Sequence, residues 1–410
     1  MKTPVKPITI WVLAAVLATE IVLVGLYVRV DFPFLAPALL GAVVVQIRTC
    51  RSRLEFLGTV LLAVLLALVR YRAHLRTLYE HPAGWGIFLG LASLFFLGVA
   101  VLRSRPREIA GRVRAFGVAL AIPGFVFIAT VALSGTGHAH PMTFDRVLYA
   151  FDGSLGFQPS FVLGRLVSRL PWLGVLAGLA YEQVPVAALI LYTATMGAGE
   201  RRRPDLLLAL GAASLVGYLL YSLVPAAGPI DLFPSRFPNF APPLAGFQVV
   251  PASIPANIPR NAMPSLHMAW AVLIWWNARR SAISLRAGYL VYLMLTIFAT
   301  LASGEHYLID LVVALPFALA IQAAFSVRLR DLPRFVPFWA GWIITLAWLG
   351  FLRFARPVWL GSAVLDWILV ALTLAGSAML ERHTHRKTLT PADQRRIAGH
   401  DQLEGASAIV

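Results

Sequence analysis

The chain has 410 residues, 59% of them hydrophobic and only 13% charged, with a formal net charge of +16 and a mean hydropathy of +0.75. That balance excludes an ordinary soluble domain and describes a polytopic membrane protein. The basic excess sits as arginines in short segments between apolar runs, a topology signal rather than a nucleic-acid surface. Cys50, the single cysteine, excludes an intramolecular disulfide and a multi-thiolate metal centre.

Apolar runs near the roughly 20 residues that cross a bilayer recur from residue 8 almost to residue 380. The first, 8–28, is too long for a signal-peptide core and is kept as a helix. Further spans are predicted at 34–45, 54–68, 85–102, 116–134, 172–196, 206–224, 265–277, 285–301, 306–327, 335–352 and 358–380. The expected fold class is all-α, a polytopic transmembrane helical bundle of about twelve helices, the runs at 34–45, 54–68 and 265–277 being short for a span. No internal repeat is visible.

With Lys2 and Lys6 inside, the arginines at 48, 51 and 53, at 103–114, at 201–203, at 279–286, at 328–334 and from 382 onward all fall on the cytoplasmic side. One short loop disagrees, with Arg70, Arg72 and Arg76 on the outer side. This orientation puts 135–171, 226–264 and the turn 303–305 on the outer face, the periplasm or cell exterior of a bacterial plasma membrane. The segment 143–170 mixes Phe144, Leu148, Phe151, Leu155 and Phe161 with Asp145, Arg146, Asp152, Arg165 and Arg169, and reads as an amphipathic stretch lying on the membrane. The stretch 225–264 takes 10 of the 27 prolines, which forbids long helix. Its Phe233, Phe237, Phe240, Phe247 and Val249 are expected to pack on helices or lipid.

Chemistry concentrates between Ile258 and Asp310. The first part reads Ile258-Pro259-Arg260-Asn261-Ala262-Met263-Pro264-Ser265-Leu266-His267, and the second Ser303-Gly304-Glu305-His306-Tyr307-Leu308-Ile309-Asp310. His306 and Asp310 are four apart, so one helix would set them on one face, where a carboxylate fixes the imidazole tautomer and frees the other nitrogen as a nucleophile. A helix starting at Pro264 leaves the amides of Ser265, Leu266 and His267 open to an anion. Arg260 just upstream adds a forked donor for phosphate oxygens. Together they suggest phosphoryl transfer in which His306 attacks phosphorus, His267 protonates the departing oxygen and then serves as base, and Arg260, Ser265 and nearby amides hold the charge.

These two motifs resemble the second and third signatures of the type 2 phosphatidic acid phosphatase superfamily, and more narrowly its inositol phosphorylceramide synthase-like branch. Leu223-Val224-Pro225-Ala226-Ala227-Gly228-Pro229 and the stretch 145–156, with Phe151-Asp152-Gly153, are similar to that branch as well. The resemblance implies a catalytic six-helix core at 116–327, flanked by accessory helices at 1–115 and 328–380 and a cytoplasmic tail at 381–410. It further implies His306 as nucleophile, Asp310 as its orienter and His267 as acid and base. The superfamily's first motif is absent: Met196 stands where its Lys would precede Arg203-Pro204. The third motif's Ser-Arg falls at Ala299-Thr300. Arg260 and Arg236 are the candidate substitutes.

The expected activity is transfer of a phosphate ester from a lipid or polyprenyl substrate to an alcohol, with a polyol or sugar as acceptor. Hydrolysis to water is the alternative, and non-enzymatic transport of an anionic lipid a more distant one. No cofactor and no metal are expected. His138 with His140, and His383 with His385, lack acidic or thiolate partners at ligand spacing. The trio His267, His306 and Asp310 suits a phosphohistidine scheme without a cation. Expected partners are the lipid substrate and membrane lipids, with no nucleic acid.

Overall fold

The structure, a computed structural model, describes residues 34–49, 52–71, 83–195, 206–279, 281–326 and 332–388; the expected span at 8–28 and the arginines at 201–203 lie outside them. In chain order the helices are α1 (Leu35–Thr49), α2 (Arg53–Tyr71), α3 (Ala83–Leu102), α4 (Ile109–Ala139), α5 (Asp145–Ser154), α6 (Pro159–Arg169), α7 (Pro171–Glu182), α8 (Val184–Thr195), α9 (Leu206–Leu220), the single turn α10 (Pro229–Leu232), α11 (Leu266–Ala278), α12 (Ile283–Ala302), α13 (Leu308–Ala324), α14 (Leu332–Phe354), the single turn α15 (Arg356–Trp359) and α16 (Ala363–Thr388). Among the described residues the one sheet is a two-residue antiparallel pair, β1 (Met142–Thr143) with β2 (Ala252–Ser253). The all-α polytopic bundle expected from composition is the fold.

Among the described residues α3, α4, α12, α14 and α16 are long and apolar enough to cross a membrane, and α7 with α8 adds a sixth if that bent pair is one span. Helices α1, α9 and α13 are apolar but shorter. Apart from the run at 8–28, which lies outside the described residues, several apolar runs are short for a span: α11, for example, has 13 residues, and so rises about 20 Å against a hydrocarbon layer of about 30 Å.

Several boundaries differ from expectation, each with a local cause. The run 172–196 is not one helix but two, bent by 58° at Gln183. Pro185 has no N–H to give and its ring crowds the carbonyl of Tyr181, which loosens the helix at this point and accommodates the bend. The helix predicted from His306 begins at Leu308, with Tyr307 as its N-cap, so His306 precedes the helix it was expected to start. Pro264 likewise stands before the N-cap, Ser265, rather than in the first turn. The stretch 143–170, expected as one amphipathic segment, divides into two helices: in α5, Val147 to Phe151 are all 0% exposed, whereas α6 exposes Val162 and Leu166.

Burial follows the helix order. The largest core joins α5, α9, α11 and α13 to α14, α15 and α16, through Phe151, Phe317, Trp348, Leu352 and Trp359. A separate core gathers α1, α3 and the first half of α4, with Leu189 of α8. Phe233, Phe237, Phe247 and Val249 of the proline-rich loop pack on the main core as expected, whereas Phe240 is 56% exposed.

Candidate active site

The site is organised by carboxylates at the start of α13. A helix leaves its first N–H groups without intrahelical partners. Here Asp310 Oδ2 accepts from Tyr307 N (2.7 Å), and Asp152 of α5 accepts from Leu308 N (2.7 Å) and Ile309 N (3.1 Å). Asp145, one helix face along α5, accepts from Ala227 N, from Gly228 N (2.8 Å) and from the Tyr307 hydroxyl (3.0 Å). α5 therefore ties the turn before α10 to the turn before α13.

Gly228 makes that junction possible. Its φ of +123° lies in the region that favours glycine, and a Cβ there would stand 2.6 Å from the carbonyl oxygens of Gly304 and Glu305. The contact closes with Ile230 N donating to Gly304 O at 3.0 Å. The Ser160 hydroxyl of α6 adds a bond to the His306 carbonyl (2.7 Å). His306 is held from several elements at once.

Its ring is oriented chiefly by main chain. Nδ1 lies 3.0 Å from the carbonyl oxygen of Ala262 and 3.5 Å from Asp310 Oδ2. A carbonyl only accepts, so this contact puts the proton on Nδ1 and leaves Nε2 with its lone pair. That lone pair faces the hydroxyl of Ser265 at 3.2 Å, and the same hydroxyl accepts from Met268 N (3.3 Å) as the cap of α11. Asp310 Oδ2 is committed to Tyr307 N, while its Oδ1 is buried without a partner among the described residues. The orienting role expected of Asp310 is thus shared, the Ala262 carbonyl being the nearer partner.

His267, on the first turn of α11, is 8% exposed, with its ring centroid 6.4 Å from that of His306. Its Nε2 is buried and takes no hydrogen bond among the described residues. The side chain is boxed by aromatic rings: Tyr181 stacked at 3.8 Å and 18°, Trp270 at 5.2 Å and Phe34 at 5.4 Å. His267, His306, Ser265 and Asp310 are therefore brought together as the sequence suggested. The amide of Ser265 is not open, since it donates to the Asp310 carbonyl (3.2 Å).

The two arginines offered as substitute phosphate ligands differ in their surroundings. Arg260 is 0% exposed. Its Nε donates to His140 O (2.9 Å), Nη1 to Ile258 O (2.8 Å) and Nη2 to Ile254 O (2.7 Å), with Pro255 O at 3.3 Å from both terminal nitrogens. Proline-rich chain has carbonyls without matching N–H donors, and the guanidinium fork satisfies that surplus. Arg260 is a clamp for the proline-rich loop, with its fork committed to main-chain carbonyls. Arg236 is exposed, its guanidinium 5.8 Å over the Phe240 ring.

Around the turn beside His306 the polar groups are acidic. Burial, reinforced by the Asp145 carboxylate, raises Asp231 to about 6. Burial also raises Glu305, the His306 ring working against it. Asp152 is pushed up to about 8, again mainly by burial, its N–H contacts pulling the other way.

Sequence reasoning did not assign roles to Asp145, Asp152, Ser160, Tyr181, Phe34 or the Ala262 carbonyl. The signal for Tyr181 was Pro185, which marks a helix break beside an otherwise featureless apolar run. For Asp145 and Asp152 it was two carboxylates seven residues apart, two turns along one helix face.

Residues 146–324 match the family model of the PAP2 superfamily, a segment that runs from α5 to the end of α13 and contains both histidines. No match was found among curated proteins or among solved structures. The family match supports the superfamily resemblance carried by the two motifs and phosphatase-type chemistry, and the apolar helices make the protein an integral membrane protein.

Proposed function

We propose that this protein is a membrane phosphotransferase of the synthase-like branch, acting on a lipid or polyprenyl phosphate ester through a phosphohistidine on His306. The observation that carries the reading is the His306 ring itself: Nδ1–H is anchored on the Ala262 carbonyl and Nε2 keeps its lone pair beside Ser265 and His267.

In the first step the Nε2–P bond forms and the P–O bond to the leaving alcohol breaks, with a proton passing from His267 to the departing oxygen. Ser265, whose hydroxyl occupies the Nε2 lone pair in the free protein, turns to a phosphate oxygen. In the second step the acceptor hydroxyl forms an O–P bond, the N–P bond breaks, and His267 takes the acceptor's proton. An alcohol acceptor makes this a transfer and water makes it hydrolysis. The carboxylates of Asp231 and Glu305 at the adjoining turn suit the hydroxyl groups of a polyol better than a second phosphate, which favours transfer at the outer face.

The test uses purified full-length protein in lipid vesicles, presented with phosphate-labelled lipid and polyprenyl phosphate esters, with and without polyols. Wild type is expected to acquire acid-labile label and to transfer it in an acceptor-dependent way, whereas His306→Ala loses both by at least about a thousandfold. Equal turnover by wild type and His306→Ala overturns the assignment of the nucleophile. Turnover indifferent to polyols replaces transfer with hydrolysis.

A further inference from the structure

The family match begins at residue 146, yet the side chains boxing His267 include one from well before it. Phe34 stands at the head of α1, Tyr181 at the last turn of α7 beside the break at Gln183, and Trp270 one turn along α11. Phe34 and Tyr181 also meet each other, their centroids 5.9 Å apart. The closest of these contacts is face to face, 3.8 Å between centroids at 18°, the arrangement in which a ring's negative face meets the face of an imidazole.

A π-face is worth most to a neighbour that carries positive charge away from water. His267 is such a group whenever it holds its second proton, because it is largely buried and its Nε2 takes no hydrogen bond among the described residues. The other polar neighbours are few. Burial and His306, which faces it from the turn before α13, both oppose its charge, and Glu305 and Tyr221 interact electrostatically with Tyr181. Asp310 is turned to Tyr307 N.

We infer that Tyr181, backed by Phe34, is a positioning residue that stabilises the protonated form of His267 through its ring face and holds Nε2 open for the departing oxygen. The helix break at Gln183 then has a purpose, since it ends α7 where Tyr181 can lie flat on the imidazole. Helix α1, outside the matched segment, becomes part of the site's wall through Phe34. The inference rests on the proposed acid role of His267, but its test does not depend on turnover.

The experiment is a histidine titration by NMR on the full-length, isotope-labelled protein in lipid nanodiscs, with His267→Gln assigning the resonance among the nine histidines. Tyr181→Phe keeps the ring and is expected to leave the His267 midpoint where it is. Tyr181→Leu removes the face and is expected to lower that midpoint by about one pH unit, and Phe34→Leu to lower it by less. A melting temperature and a circular-dichroism spectrum like those of wild type certify the fold of each variant, and Phe34→Leu serves as the probe should Tyr181→Leu not fold. The inference is overturned by a midpoint indifferent to both leucine variants, by a shift in Tyr181→Phe equal to that in Tyr181→Leu, or by a wild-type His267 that never takes up a proton. Failure of the phosphohistidine reading would instead show as unlabelled protein with these titrations intact.

Discussion

His306 is the residue on which the arrangement converges, and its two nitrogens have different guardians. Nδ1 is 3.0 Å from the Ala262 carbonyl and 3.5 Å from Asp310. A main-chain carbonyl cannot be mutated away, so removing the Asp310 charge leaves the tautomer in place. Asp310→Asn is therefore expected to slow turnover by about ten- to a hundredfold, the order of loss seen when a partner behind a reacting imidazole is removed, a smaller loss than the one expected of His306→Ala. Rates measured for the two variants side by side decide the matter: an Asp310→Asn protein as inactive as His306→Ala would make the carboxylate the principal orienter. The histidines, Ser265 and Asp310 are legible in sequence because Pro-Ser-Leu-His and His-Tyr-x-x-Asp put polar groups where apolar helices begin. Arg260 is misleading in sequence for an equally physical reason. Its position beside the motif suggests a phosphate ligand, but the number of unpaired carbonyls it meets depends on how the prolines at 251, 255 and 259 fold the loop back.

At the scale of elements, α5 links the two turns on either side of the site. Its aromatic and charged residues alternate in the manner of an interfacial helix, which is why sequence places it on the membrane; local pattern cannot tell a carboxylate facing water from one facing a helix N-terminus. Asp152 faces the latter, and burial brings it up to about 8. A carboxyl whose folded-state value exceeds its unfolded value of 3.8 keeps, in the folded protein, a proton that the unfolded chain has released. Its contribution to stability is therefore greatest in acid and is lost progressively as pH rises from about 4 toward about 8. Asp152→Asn retains an acceptor for Leu308 N or Ile309 N but has no proton to lose. Thermal unfolding of the detergent-solubilised variant is expected to depend less on pH over that interval than the wild type does. Identical pH profiles would show that Asp152 is ionised throughout and acts as a charged cap.

For the whole molecule, the helices after the matched segment belong to the same core as the site and do not form an attachment to it. Phe151 of α5 meets the rings of Trp348 and Trp359 edge-on at 5.6 Å. The Ser154 hydroxyl donates to Asp366 of α16 (2.6 Å), and Trp367 Nε1 donates to the Leu155 carbonyl (3.2 Å). Arg356 reaches back to the Val249 carbonyl at 2.8 Å. None of this is legible from the hydropathy of 335–352 and 358–380, which reports that a run is apolar but not which neighbour it packs against. A close approach joins α14 to α13 at Gly341, where a Cβ would stand 2.5 Å from the Pro316 carbonyl and 2.7 Å from Ala320 N, both backbone atoms that cannot swing aside. Between apolar helices in lipid, association depends on such close packing because burial itself supplies little drive. Gly341→Val must then prise α14 off α13 or distort α13 beneath Asp310. The variant is expected to lose about 1–3 kcal/mol of stability and turnover with it, although the nearest atoms a Cβ at residue 341 would meet all belong to α13. Gly376 is the control, since a Cβ added there would meet nothing within 4 Å among the described residues: Gly376→Val is expected to unfold at the wild-type temperature. Equal melting temperatures for the two valine variants would mean that the C-terminal helices pack on the core loosely enough to move away, and that the site does not depend on them.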